Sequence, residues 1–508
     1  MNSYFLKKAE DNTPKLFETI VKPERFVRVV EDKNSAYGIG VEDAGAPLDV
    51  FFNGDSVIVD FGRHCVGTLS FKMSKVDRYL DAPVRIKVRF AEIPMELASD
   101  FTKYKGRLCA SWLQEEIFTL DYAGICTFPR RYSFRYCQIT ILNAHRKLRL
   151  SDFEVKALSS ADYNNLEPLK KVTDPDLIEI DRVASRTLSE CMQNSYEDGP
   201  KRDRRLWSGD LYLQALTDFT LFKNNALARR CLYLFASCFE EEKYLPGCLY
   251  YHPEYYFDQG LGIADYAFLY SVTLCEYYAN TKDAETAREL FPIVQKQLDM
   301  TIRNLDKNGI ITLLDGWNSF IDWAPDKKVI TSVHGVFLFA LAKCIELARA
   351  LGENEAADRW EKALEDGKRA AMNVLYDSEK KAFVNAYDEN QYSVHSQVWM
   401  ILGGVVSGEE AVKMLHDVLG APESLKPVTP FMHHYVVDAM FKLGLQDEAI
   451  AYIKNYWGGM VKLGADTFWE VYIPSDLEAS PYGDKLANSF CHAWSCSPSY
   501  FIRKYLDK

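Results

Sequence analysis

The chain is poor in the features that would place it in several common classes. Its 12 cysteines are scattered with no Cys-x-x-Cys pair, which removes a disulfide framework or a zinc ribbon and leaves buried, reduced thiols as the expectation. Four of them, Cys231, Cys238, Cys275 and Cys344, fall inside apolar helical patterns. No His-Glu-x-x-His motif or Cys/His cluster occurs, and the adjacent His433 and His434 cannot share one helix face, so no metal and no cofactor is expected. Cationic excess is missing as well. Against 72 acidic residues stand 60 basic ones, a net charge of -12 that repels nucleic acid and anionic membranes, so neither is an expected partner. No purely apolar run reaches about 18 residues, and the start, Met1 to Lys8, carries no apolar stretch of signal-peptide length. A cytoplasmic location is therefore expected. A repeat of fixed period, the mark of a solenoid, is absent too.

Two kinds of hydrophobic periodicity divide the chain near residue 165. Before it, short runs alternate with period two: 57–61, 67–72, 84–90 and 136–142. Rich in β-branched and aromatic residues, they read as antiparallel strands with one buried face. After Asp174-Pro175, where Asp can cap and Pro can take the first helical position, the period becomes helical. About twelve helical segments follow, among them 175–193, 261–280, 283–304, 329–352, 354–375, 430–444 and 488–506, and Ser407 with Glu410 predicts a capping box. The expected organisation is multidomain: an N-terminal β-sandwich accessory domain over 1–165, then an all-α (α/α)6 toroid of six helical hairpins over 166–508. Loops joining inner and outer helices of a closed ring converge at one mouth. Segments far apart in sequence can then face each other there.

Two such segments carry the chemistry. The run Asp198-Gly199-Pro200-Lys201-Arg202-Asp203-Arg204-Arg205-Leu206-Trp207-Ser208-Gly209-Asp210 packs carboxylates, arginines and a tryptophan into one broken loop opening a helix. Far downstream, Gly464-Ala465-Asp466-Thr467-Phe468-Trp469-Glu470 places another carboxylate beside another tryptophan. Charged hydrogen bonds to hydroxyls, aromatic faces for the ring and a carboxyl pair are what glycosidic cleavage needs.

Together the two segments resemble glycoside hydrolase family 78, the inverting α-L-rhamnosidases, whose site is marked by D-C-P-x-R-D-E-R-x-x-W-x-G-D and a later G-A-T-x-x-W-E. Cys491 to Ser495 is similar to the family's N-H-x-x-x-S stretch, Asp315-Gly316-Trp317 with Asp322-Trp323 to its G-D-W loop, and Asp60 to Arg63, Val66-Gly67, Arg89 to Glu92 and Phe134 to Tyr136 to strands of its β-domain. The resemblance implies Glu470 as general base. Counting from Asp198, the family's acidic Glu falls at Arg204, which cannot donate a proton. Counting back from Trp207 and Asp210 it falls at Asp203, which keeps the chemistry with a shorter side chain, and Asp203 is the expected acid. By the same resemblance Asp198 and Asp210 bind sugar hydroxyls, Arg202 orients a carboxylate, Trp207 and Trp317 flank the deoxysugar, and Asp265 and His492 complete the pocket. Trp469 either packs on substrate or fills the barrel wall.

The expected activity is removal of terminal α-L-rhamnose from small glycosides. L-mannose and L-lyxose stay open as related glycones, and a homodimer stays open as an assembly. The chain ends soon after Tyr500-Phe501-Ile502, before the C-terminal β-sandwich usual in the family, so a compact intracellular form is expected. Two competing readings come from other classes. An unsaturated glucuronyl hydrolase shares the toroid but would need a pocket for a uronate carboxylate, and a catalytically weak sugar-binding homologue need not retain both Asp203 and Glu470.

Overall fold

The structure is a computed structural model that describes residues 1–76, 82–121, 124–251, 254–257, 262–324, 328–387 and 389–508. Helix α1 (Ser3–Asp11) leads into an antiparallel β-sandwich of β1 (Phe17–Val21), β2 (Arg25–Glu31), β3 (Ile39–Asp43), β4 (Ser56–Lys75), β5 (Val84–Ala91), β6 (Glu115–Leu120), β7 (Gly124–Thr127), β8 (Tyr132–Asn143) and β9 (Leu148–Ser159), with the short helix α2 (Pro94–Ala98) after β5. The strand path runs β1-β9-β4-β8-β5-β6. The runs 57–61 and 67–72, read from the sequence as two strands, are halves of the single strand β4. Its N-terminal part pairs with β8 and its C-terminal part with β9, and the ladder to β8 shifts register between Asp60 and Cys65. Such a bulge bends a strand so that it serves two layers. It falls at Gly62, whose φ of 71° suits glycine. Inward side chains of all four long strands, among them Val59, Phe71, Val88, Ile139 and Val155, fill one core.

The helical domain consists of α3 (Pro175–Cys191), α4 (Ser208–Asp218), α5 (Asn225–Ala236), α6 (Ala264–Thr281), α7 (Ala284–Arg303), α8 (Ile330–Leu351), α9 (Asn354–Val374), α10 (Val394–Leu402), α11 (Gly408–Gly420), α12 (Pro430–Lys442), α13 (Gln446–Lys462) and α14 (Pro498–Phe501), the last continued by one turn of π-helix. Helices α4, α6, α8, α10 and α12 contact one another in succession as the inner ring, and α14 closes it against α3 and α4. Sequence explains the assignment. All nine residues of α10 are buried, whereas α9 buries only the stripe Ala356, Ala357, Trp360, Ala363, Leu364, Gly367, Ala370 and Ala371, so helices apolar all round go inside and amphipathic ones outside. Asp174 caps α3 through the N–H groups of Asp176 and Leu177, with Pro175 in the first turn.

Helix α8 is long and apolar enough by length and composition to cross a bilayer, and 78% of its apolar window is buried. Two expectations are corrected. The Ser407 hydroxyl makes no capping bond, and the Glu410 side chain accepts the Tyr376 hydroxyl. Residues 488–506 are not one helix. Up to Ser497 they form an irregular strap with one short 3-10 turn at Ala493–Ser495, and Pro498 starts the helical part. The strap is tied down by bonds that a helix would consume: the Ser489 N–H donates to Glu470, that of His492 to the Phe468 carbonyl and that of Ala493 to the Asp198 carbonyl. Position 261 of the helix read from 261 to 280 lies outside the described residues; α6 begins at Ala264.

Candidate active site

The loop 198–207 is wound around the Asp198 carboxylate. One oxygen accepts the N–H of Asp203 at 3.1 Å and the other that of Arg205 at 3.0 Å. The turn is so tight that a Cβ on Gly199 would stand 2.4 Å from the Arg202 carbonyl oxygen. This winding separates the four cations. Lys201 turns into the β-sandwich. Arg202 turns toward Glu470 and Arg205 stacks on Tyr250 with its guanidinium 4.2 Å from the ring. Arg204, at a φ of 63°, points away from these carboxylates and donates to the carbonyls of Pro200 and Arg131. Burial and the nearby Arg131 push its pKa down to about 10.

Glu470 is buried at the opposite wall. Its carboxylate accepts hydrogen bonds from Arg202, from the Tyr482 hydroxyl and from the Ser489 N–H. Burial works to raise its pKa, but Arg202 foremost, then His492, Tyr482 and the Ser489 N–H, hold it below the usual value. The strap clamps the backbone here too. The indole of Trp494 donates to the Glu470 carbonyl, and the Ser495 hydroxyl to that of Trp469. Arg202 reaches across the site: while one terminal nitrogen binds Glu470, the other lies 3.0 Å from Asp203. Asp203 also meets Arg205 at 3.3 Å and keeps 17% of its side chain exposed.

Asp210, in the first turn of α4, and His492, on the strap, stand beside this pair. His492 lies 3.9 Å from Asp198 and 4.0 Å from Asp210. Burial drives the imidazole down to about 4. Burial, then mutual repulsion, drives both aspartates up, Asp198 to about 7 with Asp203 as its neighbour and Asp210 well above its usual value with Asp198 as its neighbour.

The structure thus brings Asp198, Arg202, Asp203, Asp210, Glu470 and His492 together, with Trp207 at their edge in edge-on contact with Tyr266. Trp317 packs edge-on to Tyr244 and against Gly262, where a Cβ would meet its ring at 2.6 Å. Asp265 uses both oxygens on the backbone N–H groups of Phe320 and Ile321, at 2.9 Å each, so it shapes the loop that carries Phe320. Of the two fates open to Trp469, it takes the wall. It is 1% exposed and wedged edge-on between Tyr472 and Phe490.

Of the aromatic side chains around the site, the sequence motifs included Trp323 and Trp494 but not Phe320, Phe431 or Tyr482. Phe320 stacks on Trp494, Trp323 meets Phe320 and Tyr482, and Phe431 touches Phe320 and Trp494. Tyr482, which ligates Glu470 and carries Arg202 at 4.2 Å over its ring, sits in a loop with no motif of its own. Arg107, from the β-domain, bonds the Tyr482 carbonyl through its N–H and faces the rings of Trp323 and Tyr482.

Two family models match the chain. The glycosyl hydrolase family 78 alpha-rhamnosidase N-terminal domain covers residues 23–158, and the bacterial alpha-L-rhamnosidase 6 hairpin glycosidase domain covers residues 171–506. Among solved structures, a rhamnosidase from Klebsiella oxytoca with rhamnose bound is 36% identical over 99% of both chains, with a TM-score of 0.95. A family 78 rhamnosidase of Bacillus sp. GL1 is 24% identical over 91% of this chain and 49% of its own, with a TM-score of 0.76, and shares the fold. No curated protein sequence matches.

Proposed function

The chain belongs to glycoside hydrolase family 78, and from that premise we propose that it hydrolyses terminal α-L-rhamnosides of small glycosides with inversion, Glu470 acting as base and Asp203 as acid. The observation that carries this is the bridge by Arg202, which sets one carboxylate on each side of a single guanidinium. Glu470, below its usual pKa, is ionised and able to take a proton from water. That water attacks the anomeric carbon on the face opposite the aglycone, while Asp203, which keeps part of its side chain exposed, protonates the departing oxygen. Inverting enzymes keep the two carboxyls about 6.5 to 9.5 Å apart to admit this water. Asp210 and His492 bind ring hydroxyls, and the aromatic lining receives the C6 methyl group. The Klebsiella oxytoca enzyme, 36% identical, was solved with rhamnose bound, which supports the choice of glycone.

A second assignment has one observation in its favour. Asp198, at about 7, holds a proton near neutrality, as a general acid must. The same reading takes the enzyme as cytoplasmic, acting on imported glycosides without nucleic acid or membrane partners. It is tested with an aryl α-L-rhamnoside followed by proton NMR in the first minutes. Release of rhamnose as the anomer opposite to that of the substrate is expected; no hydrolysis, or retention of configuration, sinks the proposal.

A further inference from the structure

Lys201 lies between Pro200 and Arg202 in the acid loop, yet its ammonium is buried in the joint with the β-sandwich. It donates to Glu96 at 2.9 Å and to the Asn488 carbonyl at 2.6 Å, and stands 3.3 Å from Glu92. Glu92, at the end of β5, has its other attachments on different parts of the molecule. One oxygen accepts the Phe490 N–H of the strap at 2.7 Å. The other accepts the Ser133 hydroxyl of β8 at 2.7 Å and lies 3.3 Å from His64 of β4. His64 in turn stands 4.0 Å from Glu190 at the end of α3. All of these side chains are buried.

Burying a charge costs several kcal/mol unless it is paired, and an ion pair in such a place often adds no stability over an apolar substitute. What a buried pair can supply is register. We propose that Glu92 and Lys201 are positioning residues for the catalytic carboxylates, so that the β-sandwich is part of the active site. The inference rests on the assignment of Glu470 as base. The argument follows the bonds. Glu92 holds Phe490, whose neighbour Ser489 supplies the N–H on Glu470; Lys201 holds Asn488, on the other side of Ser489, and precedes Arg202, which supplies the guanidinium. One β-domain carboxylate and one loop ammonium thus fix both donors against the base. The charge balance agrees with a clamp: Lys201 and then His64 hold Glu92 down to about 2 against its burial, and Glu96 with Glu92 raises Lys201 against its own.

The test uses the full chain and an aryl α-L-rhamnoside, with Glu92→Gln, the neutral pair Glu92→Gln/Lys201→Met, and Ser133→Ala, which removes one donor to Glu92 without stranding a charge. Arg149→Ala, which breaks the exposed pair with Asp49 in the same domain, is the control. Displacement of catalytic groups by about 1 Å costs on the order of 100-fold in rate, so kcat of the pair variant is expected to fall about that far per folded molecule, with the dissociation constant for L-rhamnose little changed. Glu470 faces Arg202, Tyr482, His492 and Asp210. Looser contact with Arg202 raises its pKa, so the acidic limb of kcat/KM should move to higher pH, a change that mere loss of stability does not produce. Ser133→Ala should show the same changes at smaller size, and it decides alone if the charge variants do not fold. Folded variants with kcat within about twofold of wild type and an unmoved limb overturn the inference. A wild-type enzyme inactive on rhamnosides would overturn the functional reading instead.

Discussion

Asp210 Oδ1 and His492 Nδ1 face each other at 4.0 Å, both buried, and neither has a hydrogen-bond partner among the described residues. One hydroxyl between them would satisfy both, and a buried polar atom left unpaired costs about 1–3 kcal/mol. Asp210→Ala is therefore expected to weaken L-rhamnose binding about 10- to 100-fold by calorimetry; unchanged affinity would remove Asp210 from the glycone site. The same burial predicts a pH effect on stability. His492 titrates at about 4 when folded against 6.5 ordinarily, so as pH falls from 6.5 toward 4 the unfolded chain takes up the proton first and stability drops. Urea titrations of His492→Asn should lose that part of the slope.

Trp469 gives a stability prediction of the opposite kind. Because the ring fills the wall between Tyr472 and Phe490, Trp469→Ala should cost about 3–5 kcal/mol in unfolding free energy while KM of the folded enzyme stays within about twofold. A selective rise in KM without loss of stability would return the ring to the substrate.

How much of this was legible in the sequence depends on the range of the interactions. The change from period two to a helical period marked the two folds, and Asp174-Pro175 marked the start of α3, because caps and periodicity are local. Glu470 and the loop 198–210 stood out because several chemically unusual residues crowd into each. The strap was misread as a helix, since Phe490, Trp494, Tyr500 and Phe501 recur at helical spacing while burying into several different neighbours. Tyr482, Phe320 and the joint of Glu92 with Lys201 were invisible, because each acts through a partner on another element.

The cysteines offer a test of packing. All 12 are free, Cys109 is exposed, Cys126 is half-buried and the other ten are buried. Hydrogen bonds from Ser111, side chain before backbone, lower the Cys109 pKa, and burial raises that of Cys126, so Cys109 should react first with a thiol-specific disulfide reagent, Cys126 more slowly and the rest after denaturation. Cys109→Ser should abolish the fast phase. Several fast thiols in the native state would contradict the packing.

For Glu470, the amide variant is nearly isosteric but cannot accept a proton from water. Glu470→Gln should lose at least about 10²–10⁴-fold in kcat and still bind rhamnose. In the wild type, activity should fall as pH drops through the Glu470 pKa, a limb below the ordinary carboxylate range because Arg202, His492, Tyr482 and the Ser489 N–H together outweigh burial. Arg202→Met should shift that limb upward; an unshifted limb would mean that another group controls it.

Asp203 and Asp198 can be told apart by the leaving group. A general acid matters most when the departing oxygen is basic, as in a disaccharide, and least when a nitrophenolate leaves with little help. If Asp203 is the acid, Asp203→Asn should cut kcat/KM on a rhamnosyl disaccharide far more than on a nitrophenyl rhamnoside. Asp198→Asn should reduce both by similar factors, since that carboxyl holds the loop through the N–H groups of Asp203 and Arg205. Arg204→Ala, whose guanidinium binds only the carbonyls of Pro200 and Arg131 among the hydrogen bonds described, should leave the ratio of the two substrates where it was. The reversed pattern, with a selective loss in Asp198→Asn, would transfer the acid role to Asp198, the group whose raised pKa of about 7 already suits it for holding the proton.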